Sequence, residues 1–141
     1  MISDGFKELE NITADLGIKA WGKDLEGAFT STAHGLASLL SDPPEDQQLV
    51  TRTIRVEAPS VSSLLVQFLN EIIYLEDTDG LLPVKVTSLH IRNNTLEADL
   101  IGFVFDPEVH DLKSHIKAAT YHGLEIAEEE DCVIIKVIFD V

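Results

Sequence analysis

The chain has 141 residues, of which 45% are hydrophobic, which is typical of one folded globular domain rather than of a disordered segment. Its 25 acidic residues outnumber its 10 basic ones, and the formal charge of −15 disfavours tight, direct binding of nucleic acid, which depends on Lys and Arg. The single cysteine excludes an internal disulfide framework and a cysteine-based zinc site. A basic protein partner or a hard cation suits this charge, although acidity is also common in proteins that are merely soluble.

The expected cellular location follows from the absence of two sequence patterns, a membrane-spanning segment and a secretion signal. No apolar run reaches the roughly 20 residues of a membrane-spanning helix. The first ten residues, "MISDGFKELE", lack the basic and apolar regions of a secretion signal. We therefore expect one cytoplasmic domain over residues 1–141 with no membrane association.

The first half of the chain alternates short strands with two helices. Three segments have strand-like character, at residues 5–9, 15–22 and 50–58. Asp24 stands where a helix N-cap is expected, and apolar residues follow it at helical spacing until "SDPP" ends the pattern near residue 41. A second helix is predicted after Pro59, because apolar residues between positions 64 and 73 recur at helical spacing.

The second half of the chain, from residue 84, is almost entirely strand. "VKVTSLHI" and "TLEADLIGFVF" flank "RNN", a turn in which Asn tolerates positive φ, and "IKAATYHGLEI" and "CVIIKVIFD" flank the acidic turn "AEEED". The expected class is α+β, with two helices packed on antiparallel or mixed β-sheets. A Rossmann or P-loop fold is disfavoured, since the chain has no βαβ rhythm and no glycine-rich phosphate loop.

The histidines give no sign of a catalytic centre. The five are dispersed, and none belongs to an HExxH pair. His34 falls on the polar side of the first predicted helix, where we expect it to be solvated. The chain also lacks a GxSxG motif. We therefore assign no catalytic residue and predict that the protein is not an enzyme.

Two aspartates interrupt apolar strands. Asp15 stands at the start of the second predicted strand, and Asp140 ends the last strand beside Val141 and its α-carboxylate. Each alone is ordinarily a turn, cap or solvated terminal residue. A cluster of carboxylates is costly unless a cation neutralises it, and such oxygen ligands suit Mg²⁺, Ca²⁺ or Mn²⁺. Spacing along the chain does not establish whether Asp15 reaches Asp140. Lys117, at the start of another strand, is either a solvated end or a group that orients the carboxylates or contacts a phosphate.

Four stretches together resemble one protein family. "NITADLGIKAWGKDLEGAF" resembles the archease opening "HTAD-hydrophobic-x-I-x-A-x-G-x-(S/T)-L-E-x-A-F". "LLVQFLNEIIYL" is similar to the second helix of that family, and "IKAATYHGLEI" to its "KA-(V/A)-TYH" strand. "VIFDV" resembles its carboxy terminus, an aspartate followed by a hydrophobic residue. The resemblance covers the whole chain in order.

This resemblance implies a function and a set of ligands. Archeases activate the RtcB-type RNA ligase, which joins tRNA halves with GTP and a divalent metal, by promoting guanylylation of the ligase and multiple turnover. The implied metal ligands are Asp15, Asp140 and Val141, for Ca²⁺ or Mg²⁺ with Mn²⁺ as an alternative. The lysine of the family motif corresponds to Lys117, which becomes a candidate for facing the partner or a phosphate.

The chain departs from the family pattern at one position, and two other functions stay open. Asn11 replaces the usual histidine of the HTAD motif, and asparagine keeps hydrogen bonding but does not titrate near neutrality. The same carboxylates also suit a metal-dependent phosphotransfer or nucleotide-hydrolysing enzyme. A third alternative is a general chaperone-like interaction protein without a specific metal role.

Overall fold

The elements of the predicted α+β class are present in a computed structural model, which describes residues 3–10, 15–45 and 47–141. In chain order they are β1 (Gly5–Glu8), β2 (Leu16–Gly22), α1 (Leu25–Leu40), β3 (Val50–Glu57), α2 (Val61–Asp79), β4 (Leu81–Arg92), β5 (Thr95–Val104), β6 (Ala118–Glu128) and β7 (Val133–Asp140). Each of the predicted helices and strands corresponds to one of these. Among the described residues, no helix combines the length and apolar composition needed to cross a membrane.

The helix ends follow the local chemistry of the sequence. Asp24 caps α1, as predicted, by accepting a hydrogen bond from the Gly27 N–H at 2.8 Å. Ser60 and Ser63 form a reciprocal capping box at the start of α2. Gly80 ends that helix with φ of 65°, a left-handed conformation that glycine adopts without a steric penalty.

The strands form two antiparallel sheets. The four-stranded sheet has the order β1-β2-β7-β6, and the three-stranded sheet has the order β3-β5-β4. The predicted β4–β5 hairpin turns at Asn93 and Asn94, whose φ angles of 51° and 64° match the positive φ expected of this turn. The predicted β6–β7 pair is also present, and β2 lies on the other side of β7. The last strand of the chain is therefore an interior strand of its sheet.

Both helices contact both sheets. Helix α1 contacts β2 and β7 of one sheet and β4 of the other, and α2 contacts β6 as well as all three strands of the three-stranded sheet. Buried residues of both helices and both sheets form one hydrophobic cluster. The packing is close enough that a Cβ added at Gly35 of α1 would lie 2.8 Å from Ile18 Cγ2. Each sheet thus has an inner face toward the helices and an outer face on the opposite side.

The expectation for His34 is wrong. The side chain is half-buried between α1 and β4, and its Nε2 accepts a hydrogen bond from the Val86 N–H at 3.1 Å. Burial, followed by the positive charge of Lys85, lowers the pKa of His34 from its ordinary value of 6.5. His34 therefore acts as a neutral structural link between the helix and the strand. It is not solvated because α1 packs between two sheets and has few positions that face water.

Candidate metal site at one end of the four-stranded sheet

Strand pairing brings the two predicted aspartates to neighbouring positions. Leu16, the first residue of β2, pairs with Phe139 of β7. Asp15 directly precedes Leu16 and Asp140 directly follows Phe139, so the two aspartates occupy the next position at the same end of the sheet. Leu16 and Phe139 pack in the core, and side chains alternate along a strand. Asp140 therefore belongs to the outer face, and Asp15 lies one residue before the paired part of β2.

The end of β7 is held on its other side by β6. Ala118 pairs with Asp140, and the Lys117 N–H donates a hydrogen bond of 2.8 Å to the Asp140 carbonyl oxygen. Val141 follows directly and is 43% exposed. All four predicted site residues thus lie at one end of one sheet. The backbone pairing, rather than a side-chain contact, positions them.

The donor chemistry at this end fits a hard cation. Asp15 is half-buried and Asp140 is exposed, and two like charges on adjacent strands destabilise a sheet unless something offsets them. Within residues 3–10, 15–45 and 47–141, no group of three or more His, Cys, Asp or Glu side chains is arranged to hold a metal. Only two of the predicted ligands are side chains of these types, and the third predicted ligand is the carboxylate of Val141. Asn11, which replaces the family histidine, lies outside the described residues.

Asn70 is a residue of this region that the sequence did not reveal. Its side-chain Oδ1 accepts a hydrogen bond from the Ala119 N–H at 2.7 Å, and its Nδ2 donates to the Ala119 carbonyl oxygen at 3.5 Å. The amide of α2 thus bonds to the edge strand β6 in the way a neighbouring strand would. The available signal was an amide directly after the apolar positions Phe68 and Leu69 of a buried helix face.

Strand β6 is irregular just beyond the site. Its register against β7 shifts between Thr120 and Glu125, and Gly123 within this interval has φ of 69°. Thr120 Oγ1 donates a hydrogen bond to the Ile138 carbonyl oxygen at 2.9 Å, at the last regular position before the shift. Bulges of this kind redirect side chains, and Tyr121 is 57% exposed here. The "TYHG" stretch therefore forms an irregularity of β6 that ends its regular pairing with β7 close to the carboxylates.

Comparison with known proteins identifies related sequences and structures. Residues 6–141 match the model of the Archease protein family (MTH1598/TM1083). Among similar sequences, the protein archease of Pyrococcus furiosus is 36% identical over 123 residues, which cover 84% of this chain and 86% of that protein. The protein archease of Sulfolobus acidocaldarius is 31% identical over 130 residues, 92% of this chain and 94% of that protein.

Two solved structures share the fold. The solution structure of Methanobacterium thermoautotrophicum protein 1598 superposes with a TM-score of 0.77 at 26% identity, covering 97% of this chain and 99% of that one. A crystal structure from Thermotoga maritima, described as an archease and possible chaperone, gives a TM-score of 0.62 at 20% identity, with 96% and 97% covered. At that identity, the second likeness concerns the fold alone.

Proposed function

Because the chain belongs to the archease family, we propose that it is a metal-binding accessory protein that activates an RtcB-type tRNA-splicing RNA ligase. In this role it promotes guanylylation of the ligase and allows the ligase to turn over repeatedly. The observation that supports the proposal is the pairing of Leu16 with Phe139, which sets Asp15 beside Asp140 at the end of the sheet. Two carboxylates at neighbouring strand ends repel each other, and a bound cation would remove that repulsion.

The residues divide the work at this site between binding and positioning. Asp15, Asp140 and the carboxylate of Val141 would hold a Ca²⁺ or Mg²⁺ ion, with Mn²⁺ as an alternative. The bound ion would supply a positive centre for an oxygen ligand of the partner. Lys117 donates its backbone N–H to Asp140, and its exposed side chain is free to face the partner or a phosphate.

The charge of the chain agrees with an accessory role. A formal charge of −15 suits docking beside a basic RNA-binding cleft, with the ligase supplying the contacts to RNA. We assign no catalytic residue to the chain, in keeping with an activator rather than an enzyme. A cytoplasmic location stays a prediction of the sequence.

The test is the pair of variants Asp15→Asn and Asp140→Asn. Each should weaken binding of Ca²⁺ or Mg²⁺ by about 10- to 100-fold, since loss of even an indirect support of a metal site costs that much. Ligase activation in a multiple-turnover RNA-joining assay should fall with it. Isothermal titration calorimetry measures the affinity, and thermal unfolding checks that the fold is retained.

The matched control is Asp99→Asn, on the outer face of the other sheet. Asp99 accepts hydrogen bonds from the Thr53 and Ser88 hydroxyls at 2.8 and 3.1 Å. The same change of charge there should leave cation affinity and activation as they were. Unchanged affinity in both site variants would remove Asp15 and Asp140 from the site. Metal-dependent turnover by the isolated protein would favour an enzyme, and broad suppression of aggregation of unrelated proteins would favour a chaperone.

A further inference from the structure

Three lysines form a row across the outer face of the four-stranded sheet. Lys7 of β1 pairs with Lys19 of β2, and Lys19 pairs with Lys136 of β7. All three share the outer face, because their neighbours along each interior strand, such as Ile18 and Val137, are buried in the core. Strands lie roughly 5 Å apart, so the row spans about 10 Å.

This row is unexpected in so acidic a chain. Three of the 10 basic residues of the chain lie in this one row, although the chain has 25 acidic residues. Lys136 lies 3.6 Å from Glu125, but in the described part of the chain neither Lys7 nor Lys19 forms an ion pair. Like charges directly opposite each other on neighbouring strands destabilise a sheet. An anion bound across the row would offset that cost.

An apolar depression lies beside the row. It has a volume of about 230 Å³ and is lined by Lys7, Lys19, Trp21, Cys132 and Ile134. Trp21 Nε1 donates a hydrogen bond to the Ser3 carbonyl oxygen at 2.8 Å, which fixes the orientation of the indole. The depression is smaller than the pockets of drug-sized ligands, which start near about 300 Å³, and suits a single flat ring system. The indole is half-buried and retains exposed surface.

We propose that this face binds a nucleoside phosphate, with the base against Trp21 and Ile134 and the phosphate on Lys7 and Lys19. An aromatic platform beside lysines is the combination that binds nucleotides with little dependence on the identity of the base. Charges beyond about 8 Å are screened at physiological salt, so the local lysines outweigh the −15 of the whole chain. The ligand is one or a few nucleotides, because a longer strand would run onto acidic surface.

The single tryptophan of the chain allows a direct test. Trp21 emission, excited at the red edge of its absorption, is titrated with AMP, GMP, adenosine, pyrophosphate and a 5′-phosphorylated tetraribonucleotide, in the absence of any ligase. AMP and GMP should each change the emission saturably. Adenosine and pyrophosphate should each bind more weakly than AMP. Tighter binding of the tetranucleotide identifies the end of an RNA strand as the source of the ligand, and tighter binding of AMP or GMP identifies a free nucleotide.

Variants separate a binding role from a role in solubility. Lys7→Gln and Lys19→Gln should each weaken AMP binding about fivefold, the fold-change that corresponds to about 1 kcal/mol for one exposed charge. Without ligand, Lys19→Gln should raise the melting temperature by about 1 to 3 °C, because it removes the repulsion between strands. Lys113→Gln, which removes a lysine paired with Asp42 elsewhere, should do neither.

Three results would overturn the inference. The first is emission that no nucleotide changes. The second is saturable binding that neither lysine variant weakens, and the third is pyrophosphate that binds as tightly as AMP. None of them touches the proposed activation of the ligase, since the inference rests on other residues and is measured without the partner.

Discussion

The outer faces of the two sheets treat charged side chains differently. On the three-stranded sheet, Asp99 accepts hydrogen bonds from hydroxyls on both neighbouring strands, Thr53 at 2.8 Å and Ser88 at 3.1 Å. On the four-stranded sheet, Asp15 and Asp140 lie next to the last paired residues at one end, and three lysines pair with one another across the middle. Both faces use the same strand geometry, so the choice of neighbours, not the fold, makes the difference.

Some of these charges stabilise the fold, and others are stabilised only by an opposite charge from outside their own strand pair. A carboxylate that accepts hydrogen bonds from neighbouring strands is satisfied within the protein. Like charges on adjacent strands reduce stability unless an opposite charge offsets them. Lys136 has Glu125 as such a partner, whereas Lys7 and Lys19 form no ion pair among the described residues. We accordingly place both proposed binding sites on the four-stranded sheet and expect the three-stranded sheet to act as scaffold.

The largest effect is expected from extending the chain after Val141. A few added residues convert the α-carboxylate into a neutral amide and fill space beside Asp140, so a hard-cation site loses one anionic oxygen. Ligase activation should fall by about tenfold or more, in line with other losses at metal sites. Multiple-turnover RNA joining measures the effect.

The control for this extension is the same segment placed before Met1. It should leave activation unchanged, and neither extended protein should lose thermal stability without metal, because β7 pairs with β2 and β6 in both. Full activation by the carboxy-extended protein would show that the α-carboxylate is not a ligand.

A smaller effect is expected from Asn70→Ala, which removes a contact between α2 and strand β6 of the four-stranded sheet. The change leaves the Ala119 N–H without its partner and should lower the free energy of unfolding by about 1 to 3 kcal/mol, the cost of an unsatisfied buried donor. Activation should also fall, since the start of β6 holds Asp140 through the Lys117 N–H. Chemical denaturation and the ligation assay measure the two effects.

A still smaller effect on stability is expected from Thr53→Ala on the three-stranded sheet. It removes one hydrogen bond to Asp99 on the exposed face and should cost about 0.5 to 1.5 kcal/mol of stability with no change in activation. Equal losses of activation in Asn70→Ala and Thr53→Ala would contradict the division into a binding sheet and a scaffold sheet.

The smallest expected effect is a change in the pH dependence of stability, and it arises from His34, which links α1 to β4. The pKa of His34 is lowered in the folded protein, so the folded state binds its proton less readily than the unfolded chain does. Its contribution to stability is therefore present above pH 6.5, the ordinary pKa, and is lost as pH falls through the lowered one. His34→Gln, which keeps an acceptor for the Val86 N–H, should lose less stability than the native protein on acidification. Melting temperatures measured across this pH range test it, and parallel curves for the two proteins would refute it.

Local features of the sequence were sufficient to predict the elements. Asp24 was recognised as an N-cap because its side chain bonds to an amide only three residues away. The turn at Asn93 and Asn94 was recognised for the same reason, since positive φ is a property of those two residues alone. His34 was mistaken because helical periodicity assumes one buried face, whereas α1 packs against both sheets.

The sequence by itself determined the α+β class, the two helices, the two hairpins and the chemical character of the candidate ligands. Only the tertiary structure decided that β7 lies between β2 and β6, which brings Asp15 close to Asp140. It also decided the hydrogen bond between Asn70 and Ala119 and the alignment of three lysines from separate strands. The physical reason is that caps, turns and periodicity depend on residues a few positions apart. The order of strands in a sheet depends on which distant surfaces bury each other, and no short stretch of sequence contains that information.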